Sequence, residues 1–265
     1  MATQIFLLDF AKIFLAVVLL AYASWCDWRV REVSDKVWIV FISLGLPLTL
    51  LQILLIKNLE LFYPLTFSFV TIFVLSLLLS YLGLFGDADL KALICLSLTF
   101  PWPLSGVGFR LKPFSPIFSL SILGNSLILC VLTVIPFILI KNLEWKLKNK
   151  DSLFRNFEDE PLSKKFLMLT LVGFKVKKEK LKTPHYSLAE EIKKSKDGKI
   201  KRSLKLSSAL TINDLLEEKA NIESLPEEVW VTPRIPMIIF ILGGFITATF
   251  IGDFTLLVLV RVIGF

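Results

Sequence analysis

Residues 61–85 read LFYPLTFSFVTIFVLSLLLSYLGLF, 25 positions from Leu61 to Phe85 without a charge. A bilayer core of about 30 Å is crossed by about 20 apolar residues in a helix, because lipid offers a backbone no outside hydrogen-bond partners. Working outward, similar runs flank this one. Val37 to Ile56 is uncharged for 20 residues and Ala92 to Phe109 for 18, the latter with Pro101 and Pro103 inside it. Pro113 to Ile140 runs 28 residues, and Ile235 to Gly252 runs 18, with apolar residues resuming after Asp253 as far as Val260. Ile5 to Cys26 is apolar except for Asp9 and Lys12. Three apart on a helix, those two can face each other and offset their charges. The expectation is an all-α polytopic membrane protein with six transmembrane helices.

The average composition understates this division. The 265 residues carry a net charge of +7, with 55% hydrophobic and 20% charged. Residues 141–234 hold 21 of the 30 Lys+Arg and 15 of the 23 Asp+Glu. The other 171 residues share 9 basic and 8 acidic groups. A soluble single domain and a secreted disulfide scaffold are thereby excluded. The basic excess is confined between membrane-grade segments, which argues against a nucleic-acid partner. Three domain segments are expected: 1–140, a membrane part with helices one to five; 141–234, a small mixed α/β cytoplasmic insertion; and 235–265, the sixth helix.

Sidedness follows from the flanks of the spans. Lys141, Lys146, Lys148 and Lys150 follow span five, Arg29, Arg31 and Lys36 lie between spans one and two, and Lys91 marks the turn between three and four. These loops share one side, which the positive-inside rule makes cytoplasmic. Fewer basic residues, Lys57, Arg110, Lys112 and Arg261, mark the other. The expectation is a multi-pass protein of the cell membrane with both termini outside. Ala21-Tyr22-Ala23 looks like a signal-peptidase site, but no basic residue precedes the apolar stretch, so a retained helix is favoured. Cys26, Cys95 and Cys130 are too scattered for a disulfide framework, and one histidine, His185, cannot make a metal site alone. Within the insertion, Phe166 to Lys178 is rich in β-formers and suggests a strand or two around Gly173. Lys193 to Lys205 reads as a flexible charged loop, and Leu215 to Ala220 as a short helix. Its many lysines suit anionic lipid headgroups as partners.

An acid beside a membrane span is costly and is a functional candidate by default. Two clusters lie on the expected cytoplasmic side. One is Ser24-Trp25-Cys26-Asp27-Trp28-Arg29-Val30-Arg31-Glu32-Val33, closing span one. The other is Gly83-Leu84-Phe85-Gly86-Asp87-Ala88-Asp89-Leu90-Lys91, opening span four. Helix packing can bring their carboxylates to one depth. Two carboxylates a few Å apart cannot both ionise comfortably, so the pair holds one proton. The ionised member can then activate water and the protonated one can polarise an amide carbonyl. Plainer readings stay open. Asp27 beside Arg29 and Arg31 is a neutralised loop charge, and Asp87 or Asp89 is an N-cap for span four.

These clusters resemble the membrane-embedded aspartyl peptidases of the Gly-x-Gly-Asp class, in particular the archaeal preflagellin (prearchaellin) peptidases, kin to type IV prepilin peptidases. The first motif matches at Asp27, with Arg29, Arg31, Glu32, Val33, Asp35 and Trp38 after it. The second matches at Gly86-Asp87-Ala88-Asp89-Leu90-Lys91, with Ala88 in place of the second glycine. That alignment makes Asp89 rather than Asp87 the second catalytic aspartate, because it keeps Gly86 and Lys91 in step. Val229 to Pro236 and Ile251-Gly252-Asp253 also resemble the family. The resemblance implies a six-helix fold, an aspartate dyad of Asp27 and Asp89, and support from Gly86, Ala88 and Lys91. It implies removal of short basic leader peptides from archaellin or pilin precursors at the cytoplasmic face. Glu32 and Asp35 are candidates for contacting the basic leader. Lys91 either lowers the pKa of Asp89 or anchors span four at the headgroups. Only Lys57 to Glu60 separates spans two and three, with no Cys-x-x-Cys, so no zinc, other cofactor or methylase activity is expected. A proton-coupled transporter would place its acids mid-span and show repeated halves. A non-catalytic membrane anchor is the third reading.

Overall fold

A computed structural model describes residues 2–104, 115–149, 152–194, 200–206 and 225–263. The chain divides into two compact units, Met1–Cys130 with Pro236–Phe265, and Val131–Ile235.

The first unit is helical: α1 (Ala2–Val30), α2 (Asp35–Ile56), α3 (Phe62–Tyr81), α4 (Asp87–Thr99), the start of α5 (Phe118–Asn149), and after the second unit α7 (Met237–Phe250) and α8 (Phe254–Ile263). Among the described residues four helices are long and apolar enough to cross a membrane: Thr3–Val30, Asp35–Ile56, Leu59–Tyr81 and Phe118–Asn149. The expected fourth and sixth spans are shorter. α4 has 13 residues and closes at Phe100, whose φ of −129° and ψ of 67° leave the helix. The cause is Pro101, since a residue preceding proline is driven from the α region. α7 has 14 residues and stops before Gly252, which takes a φ of 131°. That value suits glycine alone. Asp253 then starts α8 by accepting from the Leu256 N–H at 2.9 Å.

Which face of each helix is buried shows what solvent surrounds it. On α1, Ile13, Ala16, Leu20 and Ala23 are buried, at the spacing of one helical face. The opposite face exposes Leu7, Phe10, Phe14, Val18 and Tyr22. A helix with apolar residues on its outer face as well is built for lipid. α1 packs on α2 and α7, and α4 packs on α2 and α3. The shared core includes Trp38, Phe41, Leu93, Phe100, Ile241 and Phe245. Close approach relies on small residues, as expected where lipid removes the hydrophobic drive between helices. A Cβ on Gly45 would collide with Thr99, and one on Gly244 with Ser126 and the Ile122 carbonyl. Asp9 and Lys12 do face each other, 3.3 Å apart, and both are almost wholly buried. Gln52 of α2 completes the group. It accepts from Lys12 Nζ at 2.5 Å and donates to Asp9 Oδ1 at 3.1 Å.

The second unit contains the rest of α5, then α6 (Leu162–Leu167), which continues as a π-helical turn over Met168–Val172. An antiparallel sheet of order β1-β5-β2 follows, from Phe174–Lys177, Glu228–Pro233 and Tyr186–Leu188. β3 (Glu190–Lys194) and β4 (Ile200–Leu204) form a hairpin. Two expectations change here. Before Gly173 the chain is helical rather than extended, and only Phe174–Lys177 is a strand. The switch sits at Gly173, where a Cβ would collide with the Val231 carbonyl. The stretch read as a charged loop, Lys193 to Lys205, contributes the end of β3 and all of β4. Backbone ladders do not depend on composition, and Arg202 Nη2 locks the pair by bonding both oxygens of Glu190 at 2.8 and 2.7 Å. The expected helix Leu215–Ala220 lies outside the described residues.

Candidate active site

Asp27 stands in the last turn of α1. α1 is a long apolar helix, and the polar run Asp27 to Lys36 ends it. Arg31 takes a left-handed φ of 62° just past the helix, and its N–H still bonds the Asp27 carbonyl at 3.2 Å. A non-glycine residue in that region is held there by its surroundings at a cost of about 1 kcal/mol. The effect is to fold the Arg31 side chain back along α1, with Nη1 3.8 Å from Asp27 Oδ1. On the other side of Asp27, the backbone amide of Ile238 interacts with its carboxylate. Ile238 lies in the first turn of α7, where amide N–H groups have no helical partners and favour an anion.

Asp89 stands in the first turn of α4. Its Oδ2 accepts from the Gly86 N–H at 3.0 Å, so the carboxylate also caps its own helix. Asp89 is buried, whereas Asp87 is exposed. This separates the two acids that the motif leaves adjacent. Burial pushes the Asp89 carboxyl up to about 7; the Gly86 hydrogen bond opposes this, the Asp27 charge adds to it, and the Arg31 charge opposes it again. The Asp27 charge therefore reaches Asp89, and Arg31 acts on both.

The other named residues divide. Gly86 supplies the hydrogen bond to Asp89, and a Cβ there would lie 3.6 Å from Asp89 Oδ2, so packing alone does not demand glycine. Ala88 packs against the membrane core. Lys91 meets a different acid from the one beside it in sequence. Its Nζ lies 2.6 Å from Asp35 Oδ1, tying the start of α4 to the start of α2. That pair also occupies Asp35, while Glu32 stays exposed. The sequence offers Arg31 only as a motif residue and a loop charge beside Asp27, and it does not offer the Ile238 amide. An arginine in a basic loop reads as a topology marker, and a backbone amide has no residue signature. Asp253 is accounted for structurally, since it accepts from Ser121 Oγ at 2.6 Å and caps α8.

Two family models match the chain. The type IV leader peptidase family matches residues 14–140, the stretch holding Asp27 and Asp89, and the archaeal peptidase A24 C-terminus, type II, matches 165–254. The chain belongs to the type IV leader peptidase family. It is a membrane protease. A preflagellin peptidase of Methanococcus maripaludis strain C6 is 26% identical over 241 residues, covering 88% of this chain and 92% of that protein.

Proposed function

We propose that the protein is an aspartyl endopeptidase that removes the short basic leader from archaellin (preflagellin) precursors. The observation that carries this is a buried Asp89 in the first turn of α4, in the same family-matched stretch as Asp27 in the last turn of α1. In this reading Asp89 is the member that holds the proton near neutral pH, and Asp27, with Arg31 Nη1 3.8 Å away, is the ionised one. Asp27 takes a proton from water as the oxygen attacks the scissile carbonyl carbon. Asp89 gives its proton to the carbonyl oxygen, forming a neutral gem-diol. Collapse returns a proton to the leaving nitrogen and breaks the C–N bond, leaving an acid and an amine. Neither a covalent intermediate nor a metal-bound water enters these steps.

The archaellin reading is supported by the preflagellin peptidase relative. A type IV pilin precursor is the second reading, favoured by the leader peptidase family itself. In our reading six spans place the site at the cytoplasmic ends of the helices and both termini outside, with 141–234 as a cytoplasmic insertion. The test is incubation of the membrane-inserted protein with an archaellin precursor and a pilin precursor side by side. Cleavage of the first at the leader junction, lost in Asp27→Asn and in Asp89→Asn, is expected. Full activity in both variants would end the dyad reading.

A further inference from the structure

The helical segment Leu162 to Val172 has an outer face that its own unit does not cover. Leu162 is 83% exposed, Phe166 65%, Leu171 51% and Leu167 37%, while Met168 behind them is fully buried. Leu162 and Phe166 form one i,i+4 pair and Leu167 and Leu171 another; the two pairs bound the half of the helix circumference that faces away from Met168, with Ser163 and Thr170 between them. An exposed apolar patch of this kind marks an interaction site.

Depth says what covers it. The Asn142 side chain of α5 donates to the Leu169 carbonyl at 3.1 Å and to the Gly173 carbonyl at 3.0 Å, so the segment is tied to α5 at that residue. Asn142 comes two residues after Ile140, where the uncharged run of α5 ends and Lys141 begins. Two residues of helix rise about 3 Å, so the tie lies at the edge of the hydrocarbon. Charge agrees. Between Leu162 and Lys182 there are seven lysines and one glutamate. Two of them flank the patch, Lys164 pairing with Glu160 at 3.0 Å and Lys165 lying 5.9 Å from the Phe154 ring centre. An apolar helix face bordered by lysines at the membrane surface matches an in-plane interfacial helix on anionic lipid.

We propose that Leu162–Val172 lies in the plane of the membrane surface, with Leu162, Phe166, Leu167 and Leu171 inserted among the lipid chains and the following lysines at anionic headgroups. It pins the second unit to the bilayer at a point separate from the two places where the chain enters the membrane. The proposal is independent of the aspartate chemistry.

The test uses the full chain in vesicles of phosphatidylglycerol with phosphatidylcholine, with and without bromine on the acyl chains. Leu162→Trp and Phe166→Trp each add one indole at an exposed position that folding tolerates. The added emission should be blue-shifted and then lost in the brominated vesicles. Glu191→Trp, on the exposed side of the hairpin, should keep its emission in both. Equal emission in both vesicles at 162 and 166, with a water-like spectrum, would overturn the proposal. A blue-shifted emission that bromine does not quench would overturn it too, because protein, a second copy or a precursor, would then cover the face.

Discussion

Arg31 stands with Nη1 3.8 Å from Asp27 Oδ1 while its charge also reaches Asp89, so a single guanidinium acts on both acids of the site. Removing it raises the pKa of Asp89, because Arg31 opposes the upward push of burial. Protonated Asp89 is the active form in the proposed chemistry, so activity falls as pH rises through about 7. In Arg31→Gln that alkaline limb should move to higher pH. A pH–rate profile on an archaellin precursor measures it, and an unmoved limb would mean that Arg31 only shapes the loop.

Asp89 also links stability to pH. Its folded pKa is raised above the ordinary carboxylate value of about 3.9, so its contribution is intact below that value and is lost as pH rises toward about 7. A pKa unit corresponds to about 1.4 kcal/mol, which makes the loss a few kcal/mol at most. Asp89→Asn should therefore unfold at higher temperature than the native chain at pH 8, with the difference shrinking at pH 5. Thermal denaturation in one detergent at both pH values checks this. Exposed Asp87 should show neither effect as Asp87→Asn, and that variant should still cleave.

Lys91 and Asp35 form an ion pair, but both side chains are well exposed. Exposed pairs contribute about 0–1 kcal/mol. Lys91→Met should cost no more than that in a denaturation experiment, and its alkaline limb should coincide with the native one. A displaced limb would restore Lys91 to the dyad.

Lys12 presents the opposite case. It is buried with Asp9 and Gln52, so removing one charge strands the other. Lys12→Met should destabilise the chain by about 3–5 kcal/mol, the usual cost of breaking a buried pair from one side. Asp9→Leu combined with Lys12→Met should recover most of it. Comparing melting temperatures of the single and double variants decides, and equal losses would show that the pair does not act as a unit.

Much of the candidate site was legible because charges are scarce in the membrane segments. With 8 acids outside residues 141–234, a motif of five or six residues could point to Asp27 and Asp89. The choice between Asp87 and Asp89 rested on motif alignment; in the fold the two differ in burial, which depends on how α4 sits against α2 and α3. Helix lengths were less legible. Hydropathy ran past Pro101 and past Gly252, where backbone geometry ends the helices. The hairpin of β3 and β4 was hidden because lysine-rich composition resembles a solvated loop, while the contact that secures it, Arg202 with Glu190, spans 12 residues. Lys91 has a partner that the sequence does not show. Nearness to Asp89 in sequence suggested a partner, but on α4 its side chain reaches Asp35, 56 residues away.

The buried group of Asp9, Lys12 and Gln52 sits on the same unbroken helix as Asp27, 15 residues before it at Lys12. At 1.5 Å per residue that is about 22 Å of rigid rod. Turning α1 about its axis far enough to swing Asp27 away from Asp89 would shear the two buried hydrogen bonds that Lys12 and Asp9 make with Gln52 of α2. The two acids thus sit on supports of different kinds: α1 is held far from Asp27 by buried hydrogen bonds to α2, and the start of α4 beside Asp89 is tied to α2 by an exposed Lys91–Asp35 pair.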